Sequence, residues 1–324
     1  MSDPAQVPAR AAMDVSHILN RVFQLLRANL RLFVGIAAVP PLVMYGLLAL
    51  VAAAVLIPVF TRLHRAPSQQ EIVQILLVFV PLAMLTFLLF WLVFALYLAA
   101  GSHAAVQADN GVPVTFGESY AIAWRRAGRY FLLLLIIYAI CFIPALAIQL
   151  GIASVIGLSA LDKAQPNPIV FALFPLGMLL ELALFVVGFI VALRLSLAFP
   201  AAAAENLSAV EAVKRSGVLT RGVKLKIFLV LLVVYAATYL ATLVLMCGLA
   251  FAVVIGVLVF SGMHLDFASP VTVSLAVLAG LGLLALMVLF MACSWAGYTT
   301  ALCVIYNDQR RRVDPVLAFG APPA

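Results

Sequence analysis

Long apolar runs alternate with short polar segments along the chain, and six runs are longer than one bilayer crossing requires. About 20 helical residues span roughly 30 Å of hydrocarbon. The pattern therefore predicts six transmembrane helices, with surplus length for tilt or for extension beyond the bilayer. The runs are approximately Leu32–Phe60, Ile72–Ala100, Tyr130–Leu158, Ile169–Phe199, Ile227–Phe260 and Val271–Ile305.

Amphipathic segments precede the first, third and fifth runs. Their apolar residues recur at helical spacing, which predicts helices with one apolar face. The first two segments are predicted to lie in the membrane interface, whereas the small side chains of the third favour packing on other helices. The three apolar stripes are Val15, Ile18, Leu19, Val22, Phe23 and Leu26; Phe116, Tyr120, Ala123, Trp124 and Ala127; and Ala209, Val213, Ser216, Gly217 and Thr220.

An internal repeat links these elements. Arg31, Arg129 and Lys226 each open an aromatic-aliphatic run, and they lie 98 and 97 positions apart. The regular spacing predicts an all-α polytopic membrane helix bundle of three parallel repeats, each an interfacial helix plus a two-span hairpin, around a pseudo-threefold axis. The repeats cover about 14–109, 113–205 and 208–308, between a disordered tail (1–13) and a C-terminal tail (309–324). Each ends on an acid: Asp109, Glu205 and Asp308.

Composition excludes a soluble globular protein. Hydrophobic residues make up 66% of the 324 residues and charged residues 10%, against about 45–50% and about 25% in ordinary domains. The four cysteines lie in apolar runs without C-x-x-C spacing, and they are interpreted as small packing residues, not as metal ligands or disulfides. The net charge of +7 does not indicate nucleic acid, because its distribution follows the predicted spans.

Basic residues predict the orientation. If six spans are assumed, sixteen of the 19 lysines and arginines fall on one face, and only Arg62, Arg65 and Lys163 fall on the other. Because lysine and arginine resist translocation, the rich face is predicted to be cytoplasmic, with both termini inside. Basic residues beside a membrane also suit anionic headgroups. The candidate headgroup or interface contacts are Arg27, Arg31, Arg125, Arg126, Arg129, Arg194, Lys214, Arg215, Lys224 and Lys226.

Glu181 is the candidate ionisable site, because it stands near the middle of the fourth run. A carboxyl at that depth is either a proton or cation site or a protonated acid that hydrogen-bonds a neighbour. Prolines are expected to interrupt the spans and to free backbone carbonyls. They lie at Pro40, Pro41, Pro81, Pro144, Pro175 and Pro200.

Several motifs resemble the glycerophosphoryl diester phosphodiesterase membrane-domain family. The sharpest part is the stretch from Arg194 to Gly222, and the C-terminal Tyr306-Asn307-Asp308-Gln309-Arg310 is similar to the family's terminal pattern. The family-motif residues are Arg194, Pro200, Glu205, Ser216, Gly222, Tyr306, Asp308 and Arg310. The resemblance implies a bacterial cytoplasmic membrane. Some members carry a catalytic barrel of about 250 residues, but only eighteen residues follow Tyr306, so phosphodiesterase chemistry is not expected.

No G-x-S-x-G, H-E-x-x-H or P-loop motif occurs in the sequence, so no enzyme, metal or cofactor is predicted. The leading hypothesis is a membrane protein of the cell envelope that binds anionic lipids or partner proteins. The alternative is a transporter or channel with a cavity between the repeats and Glu181 as its ionisable element. An intramembrane lipid-modifying activity is a third, weaker hypothesis.

Overall fold

The computed structural model describes residues 14–61, 69–161, 168–260 and 270–314, and the predicted terminal tails lie largely outside this part. The described residues form ten α-helices and no strand. They are α1 (Val15–Ala28), α2 (Leu30–Thr61), α3 (Gln69–Asp109), α4 (Phe116–Arg125), α5 (Ala127–Leu161), α6 (Pro168–Leu195), α7 (Ala198–Glu205), α8 (Ala209–Leu219), α9 (Lys224–Phe260) and α10 (Pro270–Val313).

Six spans of the described chain are long and apolar enough to cross a bilayer, which confirms that prediction. They lie in α2, α3, α5, α6 with α7, α9 and α10. Large apolar side chains in these spans point outward: Leu77 is 68% exposed and Val244 is 71% exposed. A contiguous surface of this kind is stable against lipid and unfavourable in water. The protein is an integral, multi-pass membrane protein.

Short helices precede the first, third and fifth spans, where the amphipathic segments were predicted. The carboxylate of Asp14 accepts a hydrogen bond from the Val15 N–H at the start of α1. The Thr115 hydroxyl caps α4, and Ser208 forms a reciprocal capping box with Glu211 at the start of α8. Such caps satisfy N–H groups that the first helical turn leaves unpaired. The threefold repeat stays a prediction.

The apolar stripes differ in what covers them. On α1, Ile18 and Val22 are fully buried, but Phe23 is 47% exposed. On α4, Trp124 is 65% exposed, as suits a ring at the membrane interface. On α8 the small residues are buried, and that helix packs against α6 and α7, as its small side chains predicted.

The fourth apolar run does not form one helix to Phe199, as was predicted. α6 ends at Leu195 and α7 begins at Ala198. Pro200 explains the break, because it lacks the N–H that would bond to the carbonyl of Ser196, and its ring would clash with that carbonyl. At the break, the Ser196 hydroxyl donates a hydrogen bond to the Leu193 carbonyl at 2.8 Å.

The other prolines lie within continuous helices. α3, α5 and α6 run through Pro81, Pro144 and Pro175, and α2 includes Pro40 and Pro41. Proline is tolerated within membrane helices where neighbouring groups satisfy the freed carbonyls.

The chain divides into two compact units. Unit A comprises Asp14–Ala127 and Leu229–Val304. In it, α2 packs along α3, and the Tyr120 hydroxyl on α4 donates to the Ile36 carbonyl on α2 at 2.8 Å. The Tyr97 hydroxyl on α3 donates to the Trp295 carbonyl on α10 at 2.6 Å. Unit A is therefore held by hydroxyl-to-backbone bonds in addition to apolar packing.

Unit B comprises Gly128–Phe228 and the described part of Ile305–Ala324. α8 lies against α6 and α7, and the rings of Tyr130 on α5 and Phe199 on α7 stack with centroids 6.4 Å apart. α10 continues to Val313 with Gln309 buried, beyond the boundary at 308 that the sequence predicted. The functional candidates described next lie mainly in unit B.

Candidate functional site

The three acids that end the predicted repeats each pair with an arginine. The Nε atom of Arg21 lies 2.8 Å from Asp109 in unit A. In unit B, Arg215 pairs with Glu205 at 3.0 Å, and Arg312 pairs with Asp308 at 3.0 Å within α10. These pairs cancel the acidic charge at the three helix ends. The spacing of the acids was visible in the sequence, but their partners were not.

Glu205 is the centre of the densest polar cluster. Arg215 donates from Nε to Oε2 at 3.0 Å and from Nη2 to Oε1 at 3.2 Å, a two-pronged contact. The Tyr306 hydroxyl donates to Oε1 at 2.7 Å, and the Nε atom of Arg310 lies 3.8 Å away. Arg215 also pairs with Asp314. The cluster ties α7, α8 and the end of α10 together; it consists of Glu205, Arg215, Tyr306, Arg310 and Asp314, and we call it the Glu205 cluster.

Charge balance in this cluster keeps Arg215 ionised. Partial burial would lower the pKa of its guanidinium, but the hydrogen bond to Asp314 and the charge of Glu205 outweigh burial, so that the pKa is raised. Charge-assisted, two-pronged bonds are among the stronger side-chain contacts. The Glu205 cluster is therefore suited to hold helices together, and its cations are already compensated.

Arg194 differs from Arg215 in what its side chain contacts. Its backbone carbonyl accepts hydrogen bonds from the hydroxyls of Ser216 at 2.8 Å and Thr220 at 3.2 Å. Its guanidinium lies over Gly217, where a Cβ atom would come within 3.2 Å of Nε and 3.4 Å of Nη2. The Arg194 side chain is exposed, and no described residue accepts a hydrogen bond from its guanidinium.

Arg129 contacts the end of α7. Its Nη1 donates to the Asn206 carbonyl at 3.1 Å, to the Asn206 side-chain oxygen at 2.7 Å and to the Leu207 carbonyl at 3.0 Å. Asn206 adopts a left-handed conformation with φ of 55°, which ends the helix and turns these oxygens outward. Arg129 therefore caps a helix C-terminus. Sequence reasoning missed this role, although an asparagine after an apolar run is a signal for a helix end in the αL conformation.

The remaining candidate contacts occupy helix ends, except Lys214, which lies in the middle of α8. Arg27, Arg31, Arg125 and Lys214 are exposed. Arg126 is half-buried as the C-cap residue of α4. Lys224 and Lys226, in the first turn of α9, are also half-buried.

The residues of the family resemblance fall into groups. Glu205, Tyr306 and Arg310 belong to the Glu205 cluster, and Ser216 bonds to the backbone of Arg194. The other three have separate local roles. Asp308 pairs with Arg312, Pro200 lies beside the α6–α7 break, and Gly222 has a φ of 76° in the turn before α9.

Glu181 lies on α6 beside Gln149 of α5. The Gln149 amide donates to the Glu181 carboxyl at 2.5 Å. An ionised and a protonated carboxyl can both accept this bond, so both interpretations of Glu181 stay predictions. Among the described residues, no group of three or more metal-ligand side chains is close enough to hold a metal ion.

Comparisons with protein-family models, with curated proteins and with solved structures found no significant match.

Proposed function

We propose that this protein binds anionic phospholipid headgroups through a basic rim of its membrane domain, without enzymatic activity. The observation that carries the proposal is the division of the arginines into two groups. Arg21, Arg215 and Arg312 are compensated by carboxylates. Others at the helix ends are exposed and form no ion pair with a described acid, including Arg27, Arg31 and Arg125. Uncompensated cations beside a bilayer attract anionic headgroups by about 1 kcal/mol each.

The amphipathic helices support this proposal. α1 and α4 each carry a basic residue in the last turn, Arg27 and Arg125. Beside Arg125, the indole of Trp124 is 65% exposed. An aromatic ring next to a cation is typical of a helix at the level of the headgroups. The proposal places both termini and this basic rim at the cytoplasmic side of a bacterial cell membrane.

The resemblance to the glycerophosphoryl diester phosphodiesterase membrane-domain family forms part of the same proposal. Its support is that Glu205 lies in one cluster with Tyr306, which follows it 101 positions later, and with Arg310. A scaffold that fixes helices around a lipid-facing rim needs no catalytic group. Protein partners on the same rim remain an open part of the hypothesis.

The test removes three uncompensated charges. Arg27, Arg31 and Arg125 are replaced together by Gln, and the protein is purified in a mild detergent. Phospholipids that co-purify are then quantified by headgroup. Because each cation contributes about 1 kcal/mol, we expect the ratio of anionic to zwitterionic lipid to fall several-fold. Arg129 is left unchanged, since it caps α7.

The matched control removes the same charge from the opposite predicted rim, with Gln at Arg62, Arg65 and Lys163. We expect this variant to retain the wild-type lipid ratio. If both triple variants lose anionic lipid equally, net charge alone explains binding. If neither loses it, the proposed function is wrong.

The orientation has its own test. A cysteine introduced at Ser68 or at Ser269 should react with a membrane-impermeant thiol reagent added outside intact cells, whereas one introduced at Ser208 should not. Labelling is measured as the increase over wild type, because the chain already contains Cys247 and three other free cysteines. Outside labelling at Ser208 would reverse the proposed topology.

Transport is the second candidate, and the pair of Glu181 and Gln149 favours it, because the pair sets an ionisable group within two membrane-spanning helices. Glu181→Gln should abolish a proton-coupled flux in reconstituted vesicles while leaving lipid retention unchanged. Gln149→Leu is the companion variant, since it removes the amide donor but keeps the acid. Equal flux in wild type and Glu181→Gln would remove Glu181 from any transport mechanism.

A further inference from the structure

Arg194 presents a fixed but uncompensated guanidinium at the end of a membrane span. It lies in the last turn of α6, and its side chain is exposed. Two nearby arginines of unit B contrast with it. Arg129 donates to the end of α7, and Arg215 to Glu205 and Asp314. No acceptor among the described residues takes the Arg194 N–H groups.

The described acids of unit B each contact another side chain, and none of them contacts the Arg194 guanidinium. Two of them form the contacts of the Glu205 cluster, and the others bond to Gln149, Ser208 and Arg312. The five are Glu181, Glu205, Glu211, Asp308 and Asp314. The guanidinium of Arg194 is therefore left for an anion from outside the contacts described in this unit.

The backbone of Arg194 is held in place from α8. The hydroxyls of Ser216 and Thr220 both donate to its carbonyl, and both residues are fully buried. These bonds fix the point from which the side chain starts.

Gly217 fixes the direction of the side chain. The guanidinium lies so close above this buried glycine that an added Cβ would approach Nε to 3.2 Å and Cζ to 3.8 Å. Because Nε and Nη2 are nearer to that Cβ than Cζ is, the Nε–Nη2 edge of the planar group points at the backbone of α8. The Nη1–Nη2 end of the group is directed away from Gly217, and two N–H groups of this kind match two oxygens of a phosphate.

We propose that Arg194, held over Gly217 by Ser216 and Thr220, is a specific binding site for the phosphate group of one anionic phospholipid. The inference rests on the proposed function and narrows it from a basic rim to a single site. The location favours lipid, because Arg194 lies in the last turn of the main helix of the fourth span, and a long basic side chain near the end of a span extends towards the headgroups.

The experiment measures the affinity of the first bound phosphatidylglycerol by native mass spectrometry of the detergent-solubilised full chain. Arg194→Gln should weaken that affinity roughly tenfold, because it removes charge-assisted hydrogen bonds. Arg194→Lys should weaken it by about threefold, since it keeps the charge but loses the fork. Arg311→Gln is the charge-matched control on the exposed side of α10, and it should bind like wild type.

A second pair of variants tests the geometry without altering charge. Gly217→Ala should displace the guanidinium and weaken the first lipid several-fold. Gly128→Ala is its control, because an added Cβ there meets no atom within 4 Å. Circular dichroism confirms that the helices of each variant are intact. In a parallel experiment, inorganic phosphate is added in roughly tenfold excess over the lipid. This experiment tests whether free phosphate competes with the lipid for the site.

The outcomes separate this inference from the proposed function. Unchanged affinity in Arg194→Gln, or equal losses in Arg194→Gln and Arg311→Gln, would overturn the specific site. If the variant with Gln at Arg27, Arg31 and Arg125 still loses anionic lipid in that case, the proposed function of the basic rim stands without the specific site. Displacement of the lipid by inorganic phosphate would overturn the lipid assignment. A loss confined to the Arg194 and Gly217 variants would establish the site.

Discussion

The Glu205 cluster allows a quantitative prediction about stability. Glu205→Gln keeps the shape of the side chain but removes the charge that Arg215 contacts through two nitrogens and that the Tyr306 hydroxyl contacts at 2.7 Å. The substituted amide offers one oxygen acceptor in place of two, so that one prong of the Arg215 contact is lost. Arg215 then relies on Asp314 for compensation.

The structure bounds the size of the effect. Breaking a fully buried ion pair costs about 3–5 kcal/mol, because it leaves an uncompensated charge. The side chains here retain exposures of 20% for Arg215 and 16% for Glu205, and Asp314 remains as a second carboxylate. We therefore expect Glu205→Gln to lower the free energy of unfolding by about 2 kcal/mol, nearer to the value for a charged hydrogen bond.

The assay is reversible unfolding in mixed micelles, titrated with a denaturing detergent. A double-mutant cycle with Arg215→Gln isolates the pairwise contribution, which should reach about 1 kcal/mol. Arg21→Gln is the comparison, because Arg21 is 45% exposed in its pair with Asp109, and exposed pairs contribute below about 1 kcal/mol. A cost for Glu205→Gln within the roughly 0.5 kcal/mol of an ordinary surface change would refute the reasoning.

Two further predictions concern packing and capping. Gly297→Ala should destabilise unit A by about 1–3 kcal/mol through overpacking, because the new Cβ would lie 2.7 Å from the Val234 side chain. The measurement is thermal melting of the purified protein. Gly248→Ala is the control, because its added Cβ meets no atom within 4 Å. Ser208 lowers the pKa of Glu211, first by its hydroxyl and then by its N–H. That stabilisation is present above the unfolded carboxyl pKa and is lost as pH falls through the lowered folded pKa, so Ser208→Ala should flatten the acid limb of stability against pH; an unchanged limb would contradict the capping role.

Sequence reasoning succeeded where the determining property is local. The six spans were predicted because each apolar run contains enough residues to cross the hydrocarbon by itself. The start of α8 was likewise predicted by the amphipathic segment, and Ser208 and Glu211 cap it within four residues. The apolar run to Phe199 is divided between α6 and α7 beside Pro200, one of the prolines that were expected to interrupt the spans. A proline in a membrane helix does not always break it, as Pro81 and Pro144 show.

The candidate site depended on tertiary structure to a greater degree. Ten arginines and lysines were proposed as headgroup contacts on their position alone, but the structure commits Arg129 to the end of α7 and Arg215 to Glu205. It leaves Arg194 with no described acceptor. All three carry the same charge and were assigned to the same face, and neither property shows which of them contacts an acceptor.

The sequence alone determined that this is a membrane protein with six spans, because hydropathy sums over neighbouring residues and needs no knowledge of the fold. Tertiary structure alone decided which charges cancel. Tyr306 reaches Glu205 across 101 positions, and Ser216 reaches the Arg194 backbone across 22. Ion pairs and hydrogen bonds act only within a few ångströms, so their partners are defined by the packing of helices and not by order along the chain.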